Sequence, residues 1–157
     1  MKILLLSIGK AHEPYIREGV EDFTKRLNKY FPAEWKIIAP VKNAAALSAD
    51  ELKSTEAKSV LSVIQQDDVL VLLDERGKNL SSPELAAYIQ HKANASARRL
   101  VFLIGGAFGV DQSIFQKADF TWSISRLVFP HMLVRLILSE QLYRACTILK
   151  NEKYHHV

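Results

Sequence analysis

Apolar positions along the chain switch between two periods. Lys2–Ile8 is a short apolar run closed by Gly9, which predicts a buried strand. From Pro14 onward, Ile16, Val20, Phe23, Leu27 and Tyr30 recur at helical spacing, and Pro32 ends the pattern. Trp35–Ala39, closed by Pro40, reads as a second strand. Ser48-Ala49-Asp50-Glu51 has the form of a capping box, and Ala57, Val60, Leu61 and Ile64 behind it share a helical face. Val69–Leu73 is a continuous apolar run of the buried-strand type. Ser82-Pro83 predicts an N-cap followed by proline at the first helical position, with the helix running to about His91. Leu100–Ile104 is another buried strand, Asp111–Lys117 a short helix and Phe120–Ser123 a last strand. A loop through Pro130 leads into a long final helix, and Lys150–Val157 is the tail. This alternation predicts an α/β fold whose mostly parallel sheet is covered by helices on both faces. Residues 1–157 show no repeat, low-complexity tract or linker and are read as a single domain.

Composition narrows the classes. The chain has 157 residues, long enough to bury a core without staples, and 48% of them are hydrophobic. A formal net charge of +4 and a pI of about 9.2 favour approach to polyanions without demanding it. Cys146 is the lone cysteine, so no intramolecular disulfide can form. No metal is expected, because no His/Cys/Asp cluster has ligand spacing. The opening apolar run is too short for a secretory signal and lacks a small-residue cleavage site. Met132–Leu149 is interrupted by Arg135, Glu140 and Arg144, which opposes a membrane span. These features predict a soluble, cytoplasmic protein with no membrane association.

Ligands of parallel sheets bind beyond the carboxyl ends of the strands. Three segments fall there: Leu73-Asp74-Glu75-Arg76-Gly77-Lys78, Ile104-Gly105-Gly106-Ala107-Phe108-Gly109, and Ser123 to His131. Adjacent glycines permit a tight turn and a close backbone approach to a ligand, or simply a strand-to-helix turn. The spacing is neither G-x-G-x-x-G nor a P-loop, which disfavours a Rossmann-type dinucleotide protein. Asp74, Glu75 and Arg76 also fit a surface turn with local ion pairing. In the final helix His131 and Arg135 share one face, while Glu140 and Arg144 pair on a roughly opposite one. Apolar residues surround both spots, which suggests burial between two subunits of a homodimer. A plain i,i+4 pair on a solvent face would also account for Glu140 and Arg144.

Taken together, Phe129-Pro130-His131, Arg135, Glu140-Gln141-Leu142-Tyr143-Arg144-Ala145 and Tyr154-His155 resemble one family. So do the segments at Leu73–Lys78 and Ile104–Gly109. It is the ribosomal RNA large subunit methyltransferase H family of the SPOUT superfamily, and the resemblance runs in order from the first strand to the last residue. It implies a C-terminal trefoil knot, a homodimer, and S-adenosylmethionine as the cofactor. True knots are rare, so pattern alone would not propose one. By matching position the cofactor would be held by Leu73, Gly105, Ile124, Ser125, Arg126, Leu127, Val128 and Phe129. Leu127-Val128 stands where the family commonly has Met-Thr, and Met132 where it often has Gln.

The implied reaction is methylation of N3 of a pseudouridine in large-subunit (23S) ribosomal RNA, within assembled ribosomes. The base must lose its N3 proton as the methyl group arrives, so the enzyme must align the partners and stabilise developing charge. Arg144 or Arg135 is the candidate for charge stabilisation and His155 for accepting the proton. Tyr154 would stack on or hydrogen-bond the base. Two other readings remain at this point: an enzyme of the same superfamily acting on another RNA such as tRNA, and a non-catalytic RNA-binding module that kept the fold.

Overall fold

The computed structural model describes residues 1–156; Val157, the last residue of the expected tail, lies outside them. The chain runs β1 (Lys2–Ile8), α1 (Pro14–Leu27), β2 (Ala33–Ile38), a single 3₁₀ turn at Ala44–Ala46, α2 (Ala49–Leu61), β3 (Asp68–Asn79), α3 (Ser82–Asn94), β4 (Arg99–Ile104), α4 (Gln112–Lys117), β5 (Phe120–Ser123) and α5 (His131–Leu149). The five strands form one sheet in the order β2-β1-β4-β3-β5, and every neighbouring pair is parallel. The expected α/β architecture is therefore the one observed.

Burial on both faces explains why β1 and β4 read as unbroken apolar runs. Side chains alternate between the two faces. Ile3, Leu5, Val71, Leu100, Phe102 and Trp122 meet Leu27 of α1, Leu85 and Ile89 of α3, and Leu138, Leu142 and Ala145 of α5. Leu4, Leu6, Leu70, Leu72, Val101 and Leu103 meet Ala57 and Val60 of α2 and Ile114 of α4. Phe102 is fully buried at the centre, and its truncation to alanine would cost about 3–5 kcal/mol.

Local signals set most boundaries. Ser48 caps α2 in a complete capping box with Glu51. The cap of α3 falls one residue earlier than expected: Ser81, not Ser82, accepts from the Glu84 backbone and completes a capping box. The reason is spacing, since Glu84 is the third residue beyond Ser81. Ser82 Oγ instead donates to Gln141 Oε1 at 2.8 Å and fastens α3 to α5. β2 begins two residues earlier than expected because the ladder pairs Ile3 with Ala33. Asn28, just past α1, fixes that start: its side chain donates to the Ala33 carbonyl and accepts from the Ala33 amide.

β3 departs most from expectation. It continues to Asn79, and both Leu73 and Lys78 lie opposite Trp122 of β5. The intervening residues 74–77 are thrown out of the ladder as a strap. The all-round apolarity of α5 is largely used within the chain. The helix lies between α1 and α3 on the sheet, and Leu133 and Ile137 remain half-buried.

Candidate active site

The ends of β3, β4 and β5, the start of α5 and the loop before α4 enclose a crevice of about 830 Å³. That is in the range of cavities that bury a cofactor-sized ligand. Leu73, Ile104, Trp122, Ile124, Phe129 and Val134 give it apolar walls. The expected cofactor residues Leu73, Gly105, Ile124, Ser125, Leu127, Val128 and Phe129 all line it, whereas Arg126 is exposed and lies outside the lining. Leu127 and Val128 are 72% and 83% exposed, and Phe108 is 63% exposed, so large apolar side chains stand bare around the mouth.

Close packing shapes the loops. A Cβ at Gly105 would come within 2.6 Å of Val110 Cγ1, and one at Gly106 within 2.7 Å of the Glu56 carboxylate. Glycine is needed here because protein atoms press on the turn from behind. Glu56, on α2, is nearly buried, and desolvation raises its pKa. The loop after β5 is held by its own serines. Ser123 Oγ donates to the Ser125 carbonyl, and Ser125 Oγ accepts from the Leu127 amide. Asn79 Nδ2 ties this loop to the end of β3 through the Ser123 carbonyl.

The first turn of α5 closes the crevice. His131 lines it, and its Nε2 lies 2.6 Å from the Gly105 carbonyl, so the ring donates there. Desolvation lowers the His131 pKa, the Gly105 contact opposes this, and the Arg135 charge adds to the lowering. The neutral tautomer with hydrogen on Nε2 satisfies this geometry. No local sequence pattern marks the pairing of His131 with Gly105, which are 26 residues apart. Lys53 and Asp50 of α2 and Phe115 of α4 also reach the lining, and no local pattern marked them.

Arg135 is not where a base-contacting residue would stand. Its side chain is fully buried. Nε donates to Ser7 Oγ at 3.2 Å, and Nη1 donates to the Lys10 carbonyl at 2.9 Å and lies 3.2 Å from His12 Nδ1. Nη2 has no hydrogen-bond partner among the described residues. Desolvation lowers the pKa of Arg135 and of its neighbour His12. The residue clamps the end of β1 against α5, a buried position for a side chain expected to stabilise charge on a base.

Arg144, Tyr154 and His155 do come together. Glu140 Oε1 accepts from Arg144 Nε and Nη2 and from Tyr154 Oη, the last at 3.0 Å. Gln141 Nε2 donates to Glu140 Oε2. Arg144 Nη1 lies 3.4 Å from His155 Nδ1, and its guanidinium sits 4.7 Å above the Tyr154 ring. The Glu140 hydrogen bonds raise the Arg144 pKa, and desolvation raises that of Tyr154. Tyr143 packs edge-on against Tyr154 and also touches Phe23 and Tyr30. Tyr30 Oη donates to Glu152 at 2.6 Å. The tail through His155 is therefore fastened to Tyr30, just past α1, and to α5 by these contacts. It folds back on the C-terminal half of α5, not over the crevice of its own chain. At 1.5 Å per residue, His131 and Arg144 are roughly 20 Å apart along the helix.

Among the described residues, no group of three or more His, Cys, Asp or Glu could hold a metal ion. Apolar walls, backbone polar groups and the volume fit an adenosine–thioether cofactor. The residues that would hold it are Leu73 at the end of β3, Gly105 at the end of β4 and the loop after β5.

Comparison with known proteins agrees with this picture. The family model described as "Predicted SPOUT methyltransferase" matches residues 1–155. Ribosomal RNA large subunit methyltransferase H of Cytophaga hutchinsonii is 46% identical over 156 residues, covering 99% of this chain and all of that one. The proteins of that name from Christiangramia forsetii and Geobacter metallireducens are 42% and 40% identical, each covering 99% of both chains. A solved structure of a probable methylase family protein from Haemophilus influenzae superposes with a TM-score of 0.52 at 11% identity, covering 99% of this chain and 70% of that one. Over essentially its whole length, therefore, this chain belongs to the ribosomal RNA large subunit methyltransferase H family of SPOUT methyltransferases.

Proposed function

We propose that this protein is a cytoplasmic, S-adenosylmethionine-dependent methyltransferase that modifies N3 of a pseudouridine in 23S ribosomal RNA, in assembled ribosomal particles. The observation that carries the reading is the crevice at the ends of β3, β4 and β5, lined by every expected cofactor residue except Arg126. Full-length similarity to enzymes named for the large ribosomal subunit supports the substrate class. Among the described residues no helix is long and apolar enough to cross a membrane, which suits an enzyme of ribosomes. Residues 1–157 are taken as one domain. The knot implied by the family is assigned to the loops that frame the crevice.

When bound, the cofactor supplies an electrophilic methyl group on sulfur. The chain's own residues do the rest. The crevice walls fix the cofactor by shape and exclude water from the reacting centre. Arg144, held rigid by Glu140, presents a fixed positive charge to the ring edge from which the N3 proton leaves. His155, beside it, takes that proton directly or through water. Tyr154 supports the base. Arg135 and His131 position the β1 and β4 ends and do not touch the base.

The separation of crevice and tail along α5 gives the homodimer its purpose. Two copies of α5 packed antiparallel through Leu133 and Ile137 would carry one protomer's tail toward its partner's crevice. The test is transfer of labelled methyl to isolated large subunits and to tRNA, followed by mapping of the modified nucleotide. Label at a pseudouridine of the large subunit is expected. Label confined to tRNA, or none, would overturn the reading.

A further inference from the structure

The strap of residues 74–77 has no part in the reading above, although Asp74, Glu75 and Arg76 border the crevice. Its shape is built, not loose. Leu73 and Lys78 share one partner across the ladder, so the segment between them must leave the sheet. A Cβ at Gly77 would lie 2.6 Å from the Thr121 carbonyl oxygen, so only glycine lets the strap press this close to β5. Arg76 is thereby placed at the mouth, with its side chain 68% exposed.

An arginine this exposed normally samples many rotamers. Arg76 is restrained three ways. Its Nε and Nη2 donate to the two oxygens of Asp74 at 2.8 and 3.1 Å, and its own amide donates to Asp74 Oδ1 at 3.0 Å. Its guanidinium sits 4.5 Å above the Phe115 ring of α4. Asp74 is only 11% exposed. The pair spends one edge of the guanidinium inward, and Nη1 forms no hydrogen bond among the described residues. A planar fork fixed in advance loses little entropy when it meets an oxyanion, which suits arginine and not lysine.

We propose that Arg76 is a pre-organised contact for a phosphate of the RNA backbone beside the target nucleotide, with Asp74 and Phe115 as its positioning residues. The inference rests on the RNA-methyltransferase reading. Phosphate is favoured because the group faces outward at the rim of a basic protein, where a macromolecular polyanion arrives.

The experiment measures binding of isolated large ribosomal subunits across a salt series, with S-adenosylhomocysteine present. Four proteins are compared: wild type, Arg76→Ala, Arg76→Lys and Lys92→Ala. Lys92, in the last turn of α3 at the opposite end of the sheet, controls for net charge. The same proteins are titrated with S-adenosylhomocysteine alone. We expect Arg76→Ala to weaken binding about tenfold and to reduce the slope of log affinity against log salt by about one. Arg76→Lys should keep the slope yet bind more weakly than wild type, and Lys92→Ala should match wild type. Affinity for S-adenosylhomocysteine alone should be the same in all four. An unchanged slope in Arg76→Ala, an equal change in Lys92→Ala, or lost affinity for S-adenosylhomocysteine alone would each overturn the proposal. Failure of wild type to bind the subunits would overturn both this proposal and the reading beneath it.

Discussion

The two ends of α5 solve different problems. At its N-terminal end the protein offers shape: apolar walls and glycine turns, with charged side chains such as Asp50, Lys53 and Arg76 also in the lining. Polar work there falls to the backbone, and His131 spends its donor on the Gly105 carbonyl. At the C-terminal end polar side chains satisfy one another, with Glu140 gathering Arg144, Tyr154 and Gln141 around one carboxylate. The first arrangement suits a ligand held by fit. The second suits a charge that must stand still while another charge develops beside it. Binding and catalysis should therefore be separable by mutation.

The largest effect should come from filling the crevice. Gly105→Val, with a branched side chain forced against Val110, should abolish binding of S-adenosylmethionine in calorimetry while circular dichroism still reports a folded protein. Unchanged affinity would remove Gly105 from the site. Next, Arg144→Ala should lower methyl transfer by roughly 10²–10³-fold and leave cofactor affinity unaltered. Loss of both together would erase the contrast between the two ends. Deleting residues 154–157 should likewise remove most transfer and spare cofactor binding. Within the tail His155→Ala should cost more activity than His156→Ala, since only His155 reaches Arg144.

Acid should separate the two ends through stability. His131 and His12 have folded pKa values below the ordinary 6.5, largely through desolvation. The unfolded chain then binds more protons than the native one between that value and the lowered one. Stability from these residues is thus present above the unfolded value and declines as the pH falls through this window. Urea unfolding should show a smaller decline for His131→Asn than for wild type, and equal declines would assign the acid limb elsewhere. The smallest effect is expected from Tyr30→Phe. It removes one partly solvated tail contact, worth about 0.5–1 kcal/mol, and should reduce methyl transfer only a few-fold.

Much of the framework was legible in the chain. The buried strands announce themselves because both faces of the sheet are covered, so β1 and β4 are apolar without alternation. The capping box at Ser48 is a local hydrogen-bond pattern and needs no tertiary context. At Ser81 the same chemistry was one residue from its expected place, because Ser-Ser-Pro offers two candidate caps and Glu84 chooses between them. The candidate site was legible mainly as a likeness between motifs, since the glycine turn and the Glu140–Arg144 pair each have ordinary structural explanations.

The amino-acid sequence by itself determined the element order, the parallel sheet and the family, because these follow from local periodicity, capping and motifs in fixed order. Tertiary structure alone decided which polar groups meet. It buried Arg135 at the end of β1 instead of at the crevice, turned His131 onto Gly105, and threw residues 74–77 out of the ladder to set Arg76 at the rim. It also separated the tail from the crevice of its own chain. The reason is geometric: hydrogen bonds and ion pairs act over about 3 Å, and residues far apart in the chain come that close only after the sheet and its helices have packed.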